Sequence, residues 1–241
     1  FVNRMGDPLA DIGKYFAYMP TVIQRLTDEA GVPVLNGGFG GSPIETFCGS
    51  RQLMNFFMDM AMEPELVKEA MDACFAYQFQ AFKNQLAAKP FAAWVGGWRA
   101  APELMGHDYF MEFVWPYLVQ MVDATIEAGV VPVLHFDSCW ESELETLKQL
   151  PAKKCILMTD GTTDLRKARE ILDDRMCFLG DVPATMQAFG TPDECYNYVT
   201  SLIRDVGSKT GLIVSSGCDV PLNAKDENVD AMIQATLDYS V

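Results

Sequence analysis

Six short runs in this chain are apolar from end to end: VPVLNG (32–37), FAAWVGG (91–97), VVPVLHF (130–136), KCILMTD (154–160), MCFLGD (176–181) and GLIVSSG (211–217). A strand with water on one face alternates apolar and polar residues. A run without alternation is buried on both faces, as in a parallel sheet covered by helices. Between the runs lie stretches with helical periodicity: Glu65–Ala88, Asp108–Ala128, Glu141–Leu150, Asp164–Leu172, Thr191–Val206 and Asp226–Tyr239. Pro64 suits a first helical turn, Gly129 suits a C-cap, and TPDE (191–194) spells a capping box. Repeated strand–helix units give parallel strands joined by right-handed crossovers. The expected class is therefore α/β, as an open doubly wound sheet or a closed (β/α)8 barrel.

Two stretches sit outside this rhythm. NGGFGGS (36–42) is glycine-rich, but no helix is expected to follow it at once and it carries no P-loop lysine. It reads as a loop near a ligand or a tight turn, and no GxGxxG opens a helix after a strand elsewhere. LMNFFMDMAM (53–62) reads as the core face of a helix.

At 241 residues and 49% apolar, the chain can bury a sizeable core, and one domain over 1–241 is expected. Its net charge of −15 disfavours nucleic acid and anionic membranes as partners, because both demand a basic surface. No apolar run reaches the ~18–20 residues of a membrane span, and no signal peptide is recognisable. Seven cysteines without a tight framework point to reduced thiols in a cytoplasm, with Cys74, Cys155 and Cys177 as core residues. The opening, FVNRMGDPLADIGKYF, resembles the middle of a domain. Six units are visible where a barrel needs eight, and further N-terminal units would supply the rest.

Polar residues gather where the apolar runs end: His135 and Asp137, Asp160, Asp181, and Cys218 with Asp219. In a barrel these ends converge on one mouth, where active sites sit. VVPVLHFDSCW (130–140) puts His135, Asp137 and Cys139 after one strand, and SSGCDVP puts Cys218 after the last. Histidine and two cysteines, with aspartate or water as a fourth ligand, suit Zn²⁺ in a site that keeps an open position. Such a site can bind a substrate thiol and favour its thiolate. Each residue alone also reads as packing, and their co-location is what points to a site. His107, in LMGHDYF, reads as structural or capping.

The stretches FVWPYLVQMVDATIEAGVVPVLHFDSC, FLGDVPATMQAFGTPDECYNYVTSLI and GLIVSSGCDVPLNAKDENVDAMIQAT, with DMAMEPELVKEAMDACFAYQ upstream, resemble the uroporphyrinogen decarboxylase superfamily. The resemblance implies a (β/α)8 TIM barrel, and within the superfamily it is closest to the corrinoid-dependent methyltransferases. Those bind zinc through a His-x-Cys motif on one strand end and a later Cys. Cys218 matches the later Cys and His135 matches the His, but the position two after the His is Asp137 and a Cys appears at 139. Either Asp137 replaces the thiolate, or the loop bends so that Cys139 binds, or zinc is absent. The implied function is zinc-dependent methyl transfer between a small substrate (a methoxylated aromatic, a methylamine, or an acceptor thiol or folate) and the corrinoid of a partner protein. Asp160 and Asp181 would orient ligands or substrate. Trp94, Trp98 and Arg99 would contact substrate, the rings matching a flat or methylated molecule and Arg99 a carboxylate or phosphate. The decarboxylases place a substrate-contacting Asp near this strand end and a His at 218, and both are missing here. Porphyrinogen decarboxylation and a non-catalytic ligand-binding barrel remain the alternatives.

Overall fold

The computed structural model describes residues 8–31, 34–207 and 211–239. Six strands form one sheet in the order β1 (Asn36–Gly41), β2 (Ala92–Gly97), β3 (Val131–Phe136), β4 (Ile156–Thr159), β5 (Cys177–Val182) and β6 (Leu212–Ser216). Every neighbouring pair is parallel, and each strand lies beside the one before it in the chain. That is the topology of consecutive right-handed β/α units.

The strands separate two cores. Ala93, Val95, Leu134, Phe136, Leu157 and Phe178 face outward into the large cluster shared with the helices. Ala92, Val133, Ile156, Met158 and Leu179 face inward and pack on one another, with Leu35, Trp94, Val131, Cys177 and Ile213 around them. Residues from β2 to β6, with Leu35 just before β1, thus meet on one face, as they do inside a barrel. Both faces are covered, which is why the runs do not alternate.

The helical layer comprises α1 (Pro8–Asp28), α2 (Pro43–Arg51), α3 (Leu53–Met62), α4 (Pro64–Leu86), α5 (Pro102–Met105), α6 (His107–Phe113), α7 (Trp115–Glu127), α8 (Leu144–Leu147), α9 (Leu165–Leu172), α10 (Ala184–Phe189), α11 (Pro192–Val206) and α12 (Asp226–Tyr239). Among the described residues no helix is long and apolar enough to cross a membrane.

Six expectations change. The first strand is not 32–37 but Asn36–Gly41; residues 34 and 35 are irregular, and 32 and 33 lie outside the described residues. The glycine-rich stretch is therefore strand, not loop. Its glycines let the Phe82 ring of α4 lie against the backbone, 2.9 Å from where a Cβ of Gly40 would stand. A helix does follow at once, since Ser42 caps α2 by accepting from the Ile44 N–H. The helix expected over 108–128 breaks at Val114, because Pro116 has no N–H and excludes the carbonyl four residues back. The stretch 141–150 forms only a 3-10 turn, Glu141–Glu143, and the single turn α8. In α3 Phe56 and Met60 are buried, but Met54, Met58 and Met62 are exposed, so the methionine-rich segment is core on one face only.

The capping box forms as expected. Thr191 Oγ1 accepts from the Glu194 N–H, and the Glu194 carboxylate accepts from the Thr191 N–H at 2.8 Å. Thr191→Ala should lower the unfolding free energy by about 1 kcal/mol. An unchanged urea midpoint for that variant would show that the reciprocal pair contributes nothing.

Candidate metal centre

His135 is the last inward residue of β3, in the row Val131, Val133, His135. It is 1% exposed. The Trp94 ring of β2 stacks on the imidazole at 4.6 Å between centroids and 15° between planes. The ring is therefore oriented by packing. Among the described residues Nδ1, which is buried, has no hydrogen-bond partner, while Nε2 points to the strand ends. There it lies 3.6 Å from Asp137 Oδ1 and 3.8 Å from Cys218 Sγ.

Asp137 and Cys218 reach this point through two loops. Beyond β3 the chain turns at Ser138, whose φ is +68°. Asp160 fixes that turn, Oδ2 accepting from the Ser138 N–H at 2.9 Å and Oδ1 from the Thr162 N–H at 2.8 Å. Thr163 Oγ1 accepts from the Trp140 N–H at 3.0 Å and donates to the Ser138 carbonyl at 3.0 Å. Beyond β6, Gly217 lies directly on the backbone of residue 160; a Cβ there would come within 2.6 Å of it. Only glycine permits this approach, and the approach delivers Cys218 to His135.

Among the described residues, ligand-type atoms of His135, Asp137 and Cys218 lie within 4.8 Å of one another. Cys139, a ligand candidate from sequence, is not with them. The turn at Ser138 carries it toward Lys167 of α9, close enough for their charges to interact. Asp160 is near, as expected, but both its oxygens are engaged with the loops. Asp181 is elsewhere. It is 2% exposed and accepts at 2.8 Å from the Tyr198 hydroxyl of α11, which places its hydrogen bond in the strand–helix seam.

The electrostatics are those of a buried acidic cluster. Burial holds His135 below its ordinary range, against the pull of Asp137, Asp160 and Asp219. That favours the neutral imidazole, whose Nε2 faces Asp137 and Cys218. Burial pushes Asp137 up, and the charges of Asp160 and Asp219 add to it, while His135 and the Cys218 hydrogen bond oppose. The Cys218 thiol is raised by burial first; the backbone N–H of Asp219 opposes this, and the charges of Asp137, Asp219 and Asp160 add to it. A cation would reverse these penalties.

For tetrahedral zinc, ligand–ligand separations are about 3.3 Å for N···O and about 3.6 Å for N···S. The gaps of 3.6 and 3.8 Å around Nε2 are near those values. Nitrogen, carboxylate and thiolate are donors that zinc accepts, and three protein ligands leave a position open. The residues fit the metal. They depart from the usual pattern at Nδ1, which bonding to a carboxylate or carbonyl ordinarily fixes; the Trp94 stack takes that part.

One wall of the mouth comes from the loop after β2. The Trp98 ring stacks on Phe39 at 5.4 Å and meets His135 edge-on at 6.5 Å. Trp98, Arg99, Asp137 and Ser138 line an open cleft of about 530 Å³. Glu45 of α2, unremarked in the sequence, holds this loop. It accepts from the N–H groups of Trp98 (2.7 Å), Arg99 (3.1 Å) and Ala100 (2.9 Å), and Arg99 Nη1 lies 3.6 Å from it. Its only signal in the sequence is an acid in a first helical turn, which ordinarily reads as a partner for the helix dipole. His107 is 60% exposed and lies 3.0 Å from both oxygens of the buried Glu143.

Six parallel β/α units, with polar residues gathered beyond the C-terminal strand ends, define a protein of the TIM-barrel class. The chain belongs to the family described as uroporphyrinogen decarboxylase (URO-D), whose model matches residues 2–239. Among curated relatives, the uroporphyrinogen decarboxylase of Methylococcus capsulatus is 26% identical over 99% of this chain and 69% of its own length. That of Chlorobaculum parvum is 24% identical over 87% and 60%. That of Pseudoalteromonas translucida is 26% identical over 97% and 66%. The chain thus spans about two-thirds of the length of these relatives. Among solved structures, a methyltransferase from Methanosarcina mazei superposes with a TM-score of 0.71 at 19% identity, covering 93% of this chain and 65% of that one. At that identity the likeness is one of fold.

Two substitutions test the local geometry. Gly217→Ala should push the Cys218 loop off residue 160, so that Cys218 is alkylated faster while Cys139 reacts as before. Equal rates at Cys218 in both proteins would mean the close approach does not position the thiol. Tyr198→Phe should cost about 1–3 kcal/mol at pH 7, because it strips a buried carboxylate of its donor. Burial raises Asp181 above its unfolded value, so its contribution to stability falls as pH rises through that interval. The variant raises the carboxyl further, and its deficit should shrink on acidification as the proton goes on. A deficit equal at pH 7 and pH 5 in urea unfolding would remove Asp181 from the account.

Proposed function

We propose that this chain is part of a zinc-dependent methyltransferase, moving a methyl group between a small methylated substrate, or an acceptor thiol or folate, and the corrinoid of a partner protein. The observation that carries the reading is the convergence of His135 Nε2, Asp137 and Cys218 at the mouth. Zinc bound there would act as a Lewis acid, activating a substrate heteroatom or thiol at the open position. His135 would ligate through Nε2, Asp137 through its carboxylate and Cys218 as the thiolate. Asp160 would hold the Asp137 loop in place through Ser138. Trp98 would close one side of the cleft against water, and Arg99, half-exposed on the same cleft, would receive a substrate anion.

A second reading is favoured by the curated relatives, which are uroporphyrinogen decarboxylases by name. A substrate with many carboxylates needs a basic mouth. Here the mouth carries Asp137, Asp160 and Asp219, with Arg99 shared with Glu45. The charge therefore supports methyl transfer over decarboxylation.

Mass spectrometry of the purified protein should find close to one zinc per chain. The metal should be lost in His135→Ala and Cys218→Ser and kept in Cys139→Ser. A metal-free protein that releases carbon dioxide from uroporphyrinogen would replace this reading with the second.

A further inference from the structure

The loop after β2 begins with three consecutive N–H groups, of Trp98, Arg99 and Ala100, that converge on one carboxylate. Such a nest of backbone donors binds anions. Its occupant is built into the fold. Ser42 starts α2 directly after β1, and Glu45 is then in the first turn, with its side chain 10% exposed. The two oxygens divide the work. Oε1 accepts from Trp98 and Ala100, while Oε2 accepts from Arg99 and faces its guanidinium. The same loop presents Trp98 to His135 and Arg99 to the cleft beside Asp137.

We propose that Glu45 is a positioning residue of the site: its carboxylate, filling the nest at the end of β2, fixes Trp98 against His135 and aims Arg99 into the cleft. The inference rests on the loop and not on which cation, if any, the three ligand candidates hold. It also accounts for Arg99 staying half-exposed. One oxygen of Glu45 is near it at 3.6 Å, which steadies the guanidinium and leaves donors free for an incoming anion. An amide cannot substitute fully, because its NH2 would face the Arg99 N–H and guanidinium, donor against donor.

The test uses Glu45→Ala and Glu45→Gln in the purified chain. Amide hydrogen exchange at residues 98–100 should speed up by about tenfold or more in Glu45→Ala, the equivalent of a lost charge-assisted hydrogen bond. Glu45→Gln should lie between that variant and the parent. Formate, small enough to enter the nest, should restore protection in Glu45→Ala, and chloride at equal ionic strength should not. A merely structural side chain would give no rescue specific to a carboxylate. Unchanged exchange at 98–100 in a folded Glu45→Ala, or a loss that formate and chloride affect equally, would overturn the proposal. Cobalt binding, followed by its visible spectrum, separates the two readings. Amides that respond as expected in a protein taking up no cobalt would support the role of Glu45 and count against the metal reading.

Discussion

The site depends on the curl of the sheet. Three inter-strand steps lie between β3 and β6, roughly 14 Å if the sheet were flat. Yet His135 at the end of β3 and Cys218 beyond β6 come within 3.8 Å. Only a rolled sheet brings them so near, and the inward cluster of Ala92, Val133, Ile156, Met158 and Leu179 is what rolls it. Apolar packing at mid-strand and polar convergence at the strand ends are two results of one geometry. The first excludes water from the interior, and the second uses the mouth that this leaves.

At that mouth the fold places acids where they are costly. Asp137, Cys218 and Asp219 come together with Asp160 behind them, and the nearest basic group on the cleft is shared with Glu45. Burial and mutual repulsion both disfavour the ionised forms. Backbone N–H groups relieve Asp160 and Glu45, which serve the loops. Among the described residues Asp137 has no such backbone donors, and its partners are His135 and Cys218. The loop-holding acids are satisfied by the backbone, and the acid between His135 and Cys218 is left with ligand-type neighbours.

Much of this was legible in the residues. Apolar runs without alternation gave the parallel strands, and polar residues at their ends gave the mouth with His135, Asp137 and Cys218. What escaped was conformational or tertiary. A glycine-rich stretch carries no strand signal of its own; β1 is held by pairing with β2, and its glycines admit the Phe82 ring. Cys139 stands two residues past Asp137 and looked equally able to ligate, but the positive φ of Ser138 turns it away, and one torsion angle is invisible in a residue list. Asp181 ends a strand as Asp160 does, yet the Tyr198 hydroxyl draws it into the helical layer. Glu45 acts on a loop more than 50 residues away in the chain, a pairing no local pattern announces.

The separation of His135 from Cys218 has a mechanical meaning. They are 83 residues apart, so a cation gripping both would close a long loop of chain, as a covalent cross-link does. In chain-entropy terms a loop of that length is worth about 4–5 kcal/mol against the unfolded ensemble, before any bond energy is counted. The late half of the sheet would be stapled to the middle by any ion held there. Chelation would then loosen the molecule.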